Sequence, residues 1–360
     1  MTAPSPVMIM AGGTGGHIFP GLAVAEALRA RGVPVLWLGS EGGMETRLVP
    51  ARGIAIETLA IKGLRGKDLR SLLLAPWRIF TAVRKAAALI RRHKPAAVVS
   101  FGGYTAGPGG LAAWLQGRPV LVHEQNRAPG MTNRLLARIA DQVMTGFPDS
   151  FPGIENRVVG NPVRPEISAL PAPSVRFAGR DGALRVLILG GSQGARAINE
   201  TLPGVFAGLQ ATHRFAIRHQ CGEKMLEQAR AAYTTAGVDA VIEPFITDMA
   251  EAYGWADVVI GRAGALTVAE ICAAGVAGIL IPLPTAVDDH QAQNAEYLQQ
   301  RGGGQWFRQD ETLAKNVAHA LSMLAADPQR RLVMADAARA AAYPQAANDV
   351  ADLIVQEMAA

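Results

Sequence analysis

His17 stands directly behind a run of glycines, Gly12, Gly13, Gly15 and Gly16. An imidazole whose pKa lies near neutrality can take a proton from a hydroxyl, and a glycine-rich turn is a common mount for such a group. A histidine there can equally cap or pack against the helix that follows. The cluster His123-Glu124-Gln125-Asn126 follows an apolar run and offers amide and carboxylate groups suited to hydroxyl recognition. HEQN lacks the HExxH spacing, so a zinc protease is excluded. Glu270 lies one turn beyond the stretch Arg262-Ala263-Gly264. Its two oxygens could accept from a ribose diol while amides near Ala265 meet a phosphate. The same acid would also stabilise a helix start by about 0.3–1 kcal/mol, and spacing does not separate the two roles. Arg164, in GNPVR, could pair with phosphate oxygens or form a surface ion pair. Asp288, Asp289, His290, Gln291 and Asn294 form another polar cluster. A metal site from Asp288, Asp289 and His290 is conceivable, but adjacent residues rarely converge on one ion, and such a stretch is more often a solvated loop or helix cap.

These groups need a scaffold, and the sequence supplies two similar ones. VMIMAGGTGG (7–16) and VLILGGSQGA (186–195) are each a short apolar run, a glycine-rich turn and the start of a helical pattern. Further strand candidates in the first half are 34–39, 96–100, 119–123 and 141–146. In the second half they are 214–220, 239–245, 256–261 and 277–283. Helical segments fall between them, which indicates βαβ units and two doubly wound parallel sheets. Ligands of such sheets bind beyond the carboxyl ends of the strands, so a cleft between the two domains is the expected site. Neither glycine loop is a Walker A motif, because no GK[ST] follows. Neither is a clean GxGxxG, and the second strand ends at Leu38-Gly39-Ser40 without an acid for an NAD ribose, which disfavours a dehydrogenase.

The 360 residues carry a formal charge of +5, and 49% are hydrophobic, a globular composition that excludes a disordered chain. The charge is unevenly placed. Residues 62–94 hold ten Lys or Arg against the single acid Asp68, a net of +9, so the remainder is acidic. Within that segment Trp77, Phe80, Val83, Ala87 and Ile90 recur at helical spacing among Arg78, Arg84, Lys85, Arg91 and Arg92. A basic amphipathic helix can lie in a membrane interface, and it can also bury its stripe on its own sheet; periodicity does not decide. No stacking platform or nucleic-acid motif accompanies the charge, so nucleic acid is not expected. Residues 1–11 lack a basic n-region, and no run of 18 apolar residues exists, so neither a signal peptide nor a transmembrane helix is expected. Cys221 and Cys272 form no CxxC, so a reducing cytoplasm fits better than a disulfide framework.

Taken together, GGTGGHIFPGLAVAEAL (12–28), SFGGYTAGPGGLAAW (100–114), HEQN (123–126), GNPVR (160–164), LGGSQGARAIN (189–199) and RAGALTVAEI (262–271) resemble one family along nearly the whole chain. It is the bacterial N-acetylglucosaminyltransferase family of peptidoglycan synthesis, the MurG family. The resemblance implies a GT-B fold, two Rossmann-like domains about a cleft. It implies inverting transfer of GlcNAc from UDP-GlcNAc to the C4 hydroxyl of MurNAc in undecaprenyl-diphospho-MurNAc-pentapeptide (lipid I), giving lipid II and UDP without a cofactor or metal.

The family pattern makes His17 the candidate general base. It puts the donor on Arg164, Ser192, Ile246, the stretch Ala265, Leu266, Thr267, Val268, Ala269 and Glu270, and Gln291, completed by Thr14, Gly15, Gly16 and Asn126. Within this set Ile246 would read the uracil through its backbone, Glu270 would hold the ribose, and Gln291 would contact the sugar hydroxyls. The acceptor diphosphate is expected at Gly13, Gly102, Gly103 and Tyr104. Some members have adjacent glutamines where this chain has His290-Gln291, so the first amide is replaced here.

A lipid-linked acceptor implies a peripheral enzyme on the cytoplasmic face of the bacterial inner membrane. Leu74, Trp77, Arg78, Phe80, Arg84 and Lys85 would dock it on anionic lipid, and cell-wall and division proteins are further possible partners. The expected domains are 1–163, binding acceptor and membrane, and 164–343, binding UDP-GlcNAc. Residues 344–360 form a terminal helix whose packing partner the sequence does not give. Three other readings share much of this pattern: a GT-B transferase for a different acceptor, a UDP-GlcNAc epimerase, and a non-catalytic UDP-sugar-binding membrane adaptor.

Overall fold

The computed structural model describes residues 5–61, 75–191 and 194–359. The chain divides into two units, residues 1–163 with 345–360, and residues 164–344. In the first, seven strands run in the order β3-β2-β1-β4-β5-β6-β7: β1 Val7–Ala11, β2 Val35–Ser40, β3 Ala55–Leu59, β4 Ala97–Gly102, β5 Val120–Glu124, β6 Gln142–Thr145 and β7 Arg157–Val158. In the second, six run β10-β9-β8-β11-β12-β13: β8 Leu184–Leu189, β9 Phe215–Gln220, β10 Val241–Glu243, β11 Val258–Gly261, β12 Ala277–Leu280 and β13 Gly304–Trp306. All pairings are parallel.

The inner strands read as unbroken apolar runs because helices cover both faces of each sheet. Every residue of β1, β4, β5, β11 and β12 is buried. The strand order reverses between β1 and β4 in one sheet and between β8 and β11 in the other. The crevice at such a reversal is where doubly wound sheets hold ligands. The first reversal is marked by a slip in register, Met10 pairing with Ser100 but Ala11 with Gly102. Two expected strands are shorter than their apolar runs. Pro244 follows the end of β10, and Pro282 stops β12 after one more ladder bond, Ile281 N–H to Gly261 O.

The terminal helix Ala346–Ala359 belongs to the first unit. Its Val350, Ala351, Leu353 and Ile354 enter the cluster formed by Leu22, Ala25 and Leu28 of the helix Gly15–Ala30. Arg31 Nε donates to Asp352 Oδ1 at 2.8 Å across the same seam.

The stripe of the helix Ala75–His93 divides into a buried and an exposed part. Ala82, Ala86 and Ile90 are buried, and Val83, Ala87 and Leu89 pack on the core cluster of Met8, Met10, Leu36 and Leu38. Its first turns do not join them: Trp77 is 65% exposed and Phe80 50%, with their rings 5.7 Å apart. Arg84 stands over the Phe80 ring at 5.9 Å. Leu74 lies outside the described residues.

Candidate active site

In the first unit the neighbouring carboxyl ends of β1, β4 and β5 deliver His17, Gly102 and Gln125 to one place. Gly102 has φ +103°, and a Cβ there would stand 2.9 Å from His17 Cε1. Gly103, at φ +96°, packs so closely that a Cβ would meet the Gly12 carbonyl oxygen at 2.6 Å. These two glycines are therefore required by backbone conformation and by the space the imidazole and first loop occupy. His17 Nδ1 lies 2.8 Å from Gln125 Oε1. Gln125 Nε2 lies 3.1 Å from His123 Nδ1 and 2.9 Å from the His123 carbonyl. His123 Nε2 lies 2.9 Å from the Gly160 carbonyl. Asn161 Nδ2 donates to the Gln125 carbonyl at 2.9 Å, which fixes that loop from below.

The helix Gly15–Ala30 starts at Thr14 without a side-chain cap, so its first amides point out beyond the sheet. The Gly13 N–H is directed at Glu45 Oε2 at 3.3 Å, while Oε1 of the same carboxylate accepts the Ser40 N–H at 2.8 Å. Glu45 is fully buried beneath the loop. Sequence reasoning missed it: Glu41 and Glu45 flank Gly42-Gly43, and no signal singles out the one that is buried. Glu124 plays a similar part behind the next loop. It accepts from the Asn126 N–H and side-chain amide through Oε1, and from the Gly130 N–H and Asn133 Nδ2 through Oε2. Tyr104 is more than half exposed.

In the second unit, Arg164 and Glu270 meet each other. Arg164 Nη2 and Nε donate to Glu270 Oε1 at 2.6 and 3.1 Å, and the Tyr253 hydroxyl donates to Oε2 at 3.2 Å. Burial pushes the Glu270 carboxyl upward, against the guanidinium and hydroxyl that pull it down. Burial also raises the Tyr253 phenol, so it remains a donor. The helix Ala265–Ala274 starts at Gly264 without a side-chain cap, and Ala265, Leu266 and Thr267 supply its leading amides. Val268 does not join them: its side chain is wholly buried and its N–H is spent on the Gly264 carbonyl at 3.0 Å.

Gln291 Oε1 accepts the Leu283 N–H at 2.9 Å, and Asn294 Nδ2 holds the Ala263 carbonyl at 3.1 Å. Asp289 pairs with Arg308 at 2.9 Å. Among the described residues no group of three His, Cys, Asp or Glu side chains is placed to hold a metal ion. Ile246 has a buried side chain, so only its backbone can serve a ligand. Ser192 lies outside the described residues.

A buried network supports the second glycine loop. His219 lies 3.0 Å from Asn199 Oδ1 and 3.0 Å from the Tyr233 hydroxyl, and Asn199 Nδ2 donates to the Cys221 carbonyl. Burial pushes His219 down to about 4 from the ordinary 6.5. It does the same to His123, also to about 4, partly offset by the bond to Gly160. An unfolded chain therefore binds protons at these positions before the native state does. The stability they confer is fully present above pH 6.5 and is lost as pH falls towards 4. Between pH 7 and 5 each histidine should cost about 2 kcal/mol. Urea midpoints should fall on acidification over that range, and a flat midpoint would contradict the assignment.

Comparison with known proteins places this geometry. Residues 7–145 match the glycosyltransferase family 28 N-terminal domain, and residues 185–354 match the family 28 C-terminal domain. A protein of Xanthomonas campestris pv. campestris is 60% identical over 98% of this chain and 82% of its own length. It is named UDP-N-acetylglucosamine–N-acetylmuramyl-(pentapeptide) pyrophosphoryl-undecaprenol N-acetylglucosamine transferase. A protein of Xylella fastidiosa with the same name is 57% identical over 98% of this chain and 96% of its own. The crystal structure of Acinetobacter baumannii MurG superposes with a TM-score of 0.85 at 42% identity, covering 98% of this chain and 100% of that one.

Proposed function

The chain belongs to glycosyltransferase family 28 and, within it, to the N-acetylmuramyl-(pentapeptide) pyrophosphoryl-undecaprenol N-acetylglucosamine transferases, and from that membership we infer its reaction and the role of each site residue. It is a GT-B glycosyltransferase that moves GlcNAc from UDP-GlcNAc to lipid I, forming lipid II and UDP. The observation that carries this reading is a family match spanning both halves of the chain, with His17 and Glu270 each at a strand-order reversal.

The C4 hydroxyl of MurNAc attacks the anomeric carbon of the donor. The bond from that carbon to the UDP oxygen breaks, and its electron pair leaves with UDP. The linkage inverts from α to β in one displacement, so no covalent enzyme intermediate is needed. The protein must supply a base, alignment and a receptor for the departing charge. His17 takes the hydroxyl proton. The leading amides of Ala265, Leu266 and Thr267 receive the donor phosphates, Glu270 the ribose diol, Gln291 the sugar hydroxyls and the Ile246 backbone the uracil. Thr14, Gly15, Gly16 and Asn126 complete the donor site, and the loop Gly102–Tyr104 serves the acceptor diphosphate. Glu270 trades Arg164 for the ribose, which releases the guanidinium to the diphosphate. Label supplied as UDP-[14C]GlcNAc should move to a lipid I analogue, and its failure to do so would overturn the assignment.

The acceptor's lipid requires a peripheral position on the cytoplasmic leaflet. No described helix is long and apolar enough to cross a membrane. Docking is assigned to the exposed start of the helix Ala75–His93, where Trp77 and Phe80 can enter the acyl boundary while Arg78, Arg84 and Lys85 face anionic headgroups. Proteins of wall synthesis and division are further candidate partners of an enzyme so placed. The double variant Trp77→Glu, Phe80→Glu should lower binding to phosphatidylglycerol vesicles about ten-fold or more, since two apolar anchors go and two like charges arrive. Co-sedimentation checks this, and wild-type vesicle binding would remove the helix from the interface.

A further inference from the structure

We propose that Gln125 is a positioning residue that locks His17 in its Nδ1–H tautomer, so that Nε2 carries the lone pair that takes the acceptor proton. The proposal rests on the reading of His17 as the base and adds what makes one of its two nitrogens basic.

The argument starts from two groups that can only accept. The His123 carbonyl lies 2.9 Å from the terminal amide of Gln125, so the atom facing it must be the NH2 nitrogen. The reversed amide would set two acceptor oxygens against each other. With the nitrogen placed there, Gln125 Oε1 faces His17 Nδ1 at 2.8 Å. An amide oxygen cannot donate, so His17 Nδ1 must carry a hydrogen.

The second acceptor gives the same answer from the other end. The Gly160 carbonyl lies 2.9 Å from His123 Nε2, so that nitrogen carries hydrogen. His123 is wholly buried and stays neutral, which leaves its Nδ1 with a lone pair. Gln125 Nε2 lies 3.1 Å from that nitrogen, so the second hydrogen of the Gln125 amide is donated to it. The bonds from Gly160 through His123 and Gln125 to His17 thus have one consistent direction. An orienting carboxylate performs this task for other histidine bases. Here a neutral amide performs it, and since an amide oxygen takes no proton at these pH values, the proton from the hydroxyl stops at His17 Nε2. As the C4 O–H bond breaks, its electron pair forms the new bond to the anomeric carbon and UDP leaves with the old one. Nδ1 keeps its hydrogen throughout.

Ring-15N-labelled histidine in the full chain tests the tautomer, with the His17 resonances assigned by their loss in His17→Gln. In the neutral His17 ring, Nδ1 should give an N–H signal and Nε2 a lone-pair signal. An Nε2–H tautomer would overturn the lock. Gln125→Leu retains bulk and removes the acceptor. It should lower kcat about 10²-fold at unchanged UDP-GlcNAc affinity and abolish the preference for Nδ1–H. Wild-type kcat in folded Gln125→Leu protein would also overturn it. The wild-type spectrum decides even where that variant does not fold. The two layers separate cleanly. A His17→Ala variant with wild-type turnover removes the base assignment whatever the spectrum, whereas a slow His17→Ala variant with an Nε2–H spectrum in the wild type removes only the lock.

Discussion

Replacing His17 by alanine should lower kcat by about 10²- to 10⁴-fold, the range a positioned general base supplies, while UDP-GlcNAc affinity and the fold persist. The expectation follows from where the ring stands. The core face of the helix Gly15–Ala30 is made by Ile18, Leu22, Val24, Ala25 and Leu28, and His17 contributes little to it. The ring instead rests against Gly102 at the end of β4, among uncapped amides and outside the core cluster. Its loss removes a proton acceptor and leaves the donor contacts of the second unit intact. An interaction made only in the transition state lowers kcat and kcat/KM together. Steady-state kinetics beside calorimetric binding of UDP-GlcNAc checks this. Wild-type turnover would exclude His17 as the base.

Glu270→Ala should act in the opposite column, weakening UDP-GlcNAc binding by about 10²-fold. Hydrogen bonds to a charged group contribute about 1.5–3 kcal/mol each, and a ribose diol offers two hydroxyls to one carboxylate. The substitution also has a structural cost. It strands the Tyr253 hydroxyl in the core, worth about 1–3 kcal/mol, and leaves Arg164 without its acceptor. Stability and affinity must therefore be measured on the same sample. Arg164→Ala provides the contrast. It leaves a buried carboxylate without its cation, so the Glu270 carboxyl should shift further upward and destabilise the second unit by about 3–5 kcal/mol. Unchanged donor affinity in folded Glu270→Ala protein would take Glu270 out of the site.

The two sheets were legible because buried parallel strands write themselves as apolar runs, and the glycine turns after β1 and β8 mark where each run stops. Strands β3, β7 and β13 were not. Ala55–Leu59 carries Glu57 and Thr58 at a sheet edge, Arg157–Val158 is two residues long, and Gly304–Trp306 begins inside a glycine run. Residue types around the site were readable, whereas their partners were not. Arg164 and Glu270 are 106 residues apart, and although an ion pair was open for Arg164, nothing in the sequence named Glu270 as its partner. Glu45 carries no signature of burial, because its burial is created by Gly12, Gly39 and Gly43, which leave room for the carboxylate. Gln125 sat in a motif that was noticed, but the direction of its amide is set by a carbonyl that only the fold brings opposite. The stripe from Trp77 to Ile90 divides along its length, which periodicity alone does not report.

The most direct test of the account is transfer of radiolabelled GlcNAc from UDP-GlcNAc to a lipid I analogue, with and without EDTA. The account predicts a β-1,4-linked disaccharide lipid formed equally well in EDTA, with one UDP released for each sugar transferred. Folded protein that binds UDP-GlcNAc but leaves lipid I unlabelled, or that converts the donor to UDP-ManNAc with no acceptor present, would contradict it.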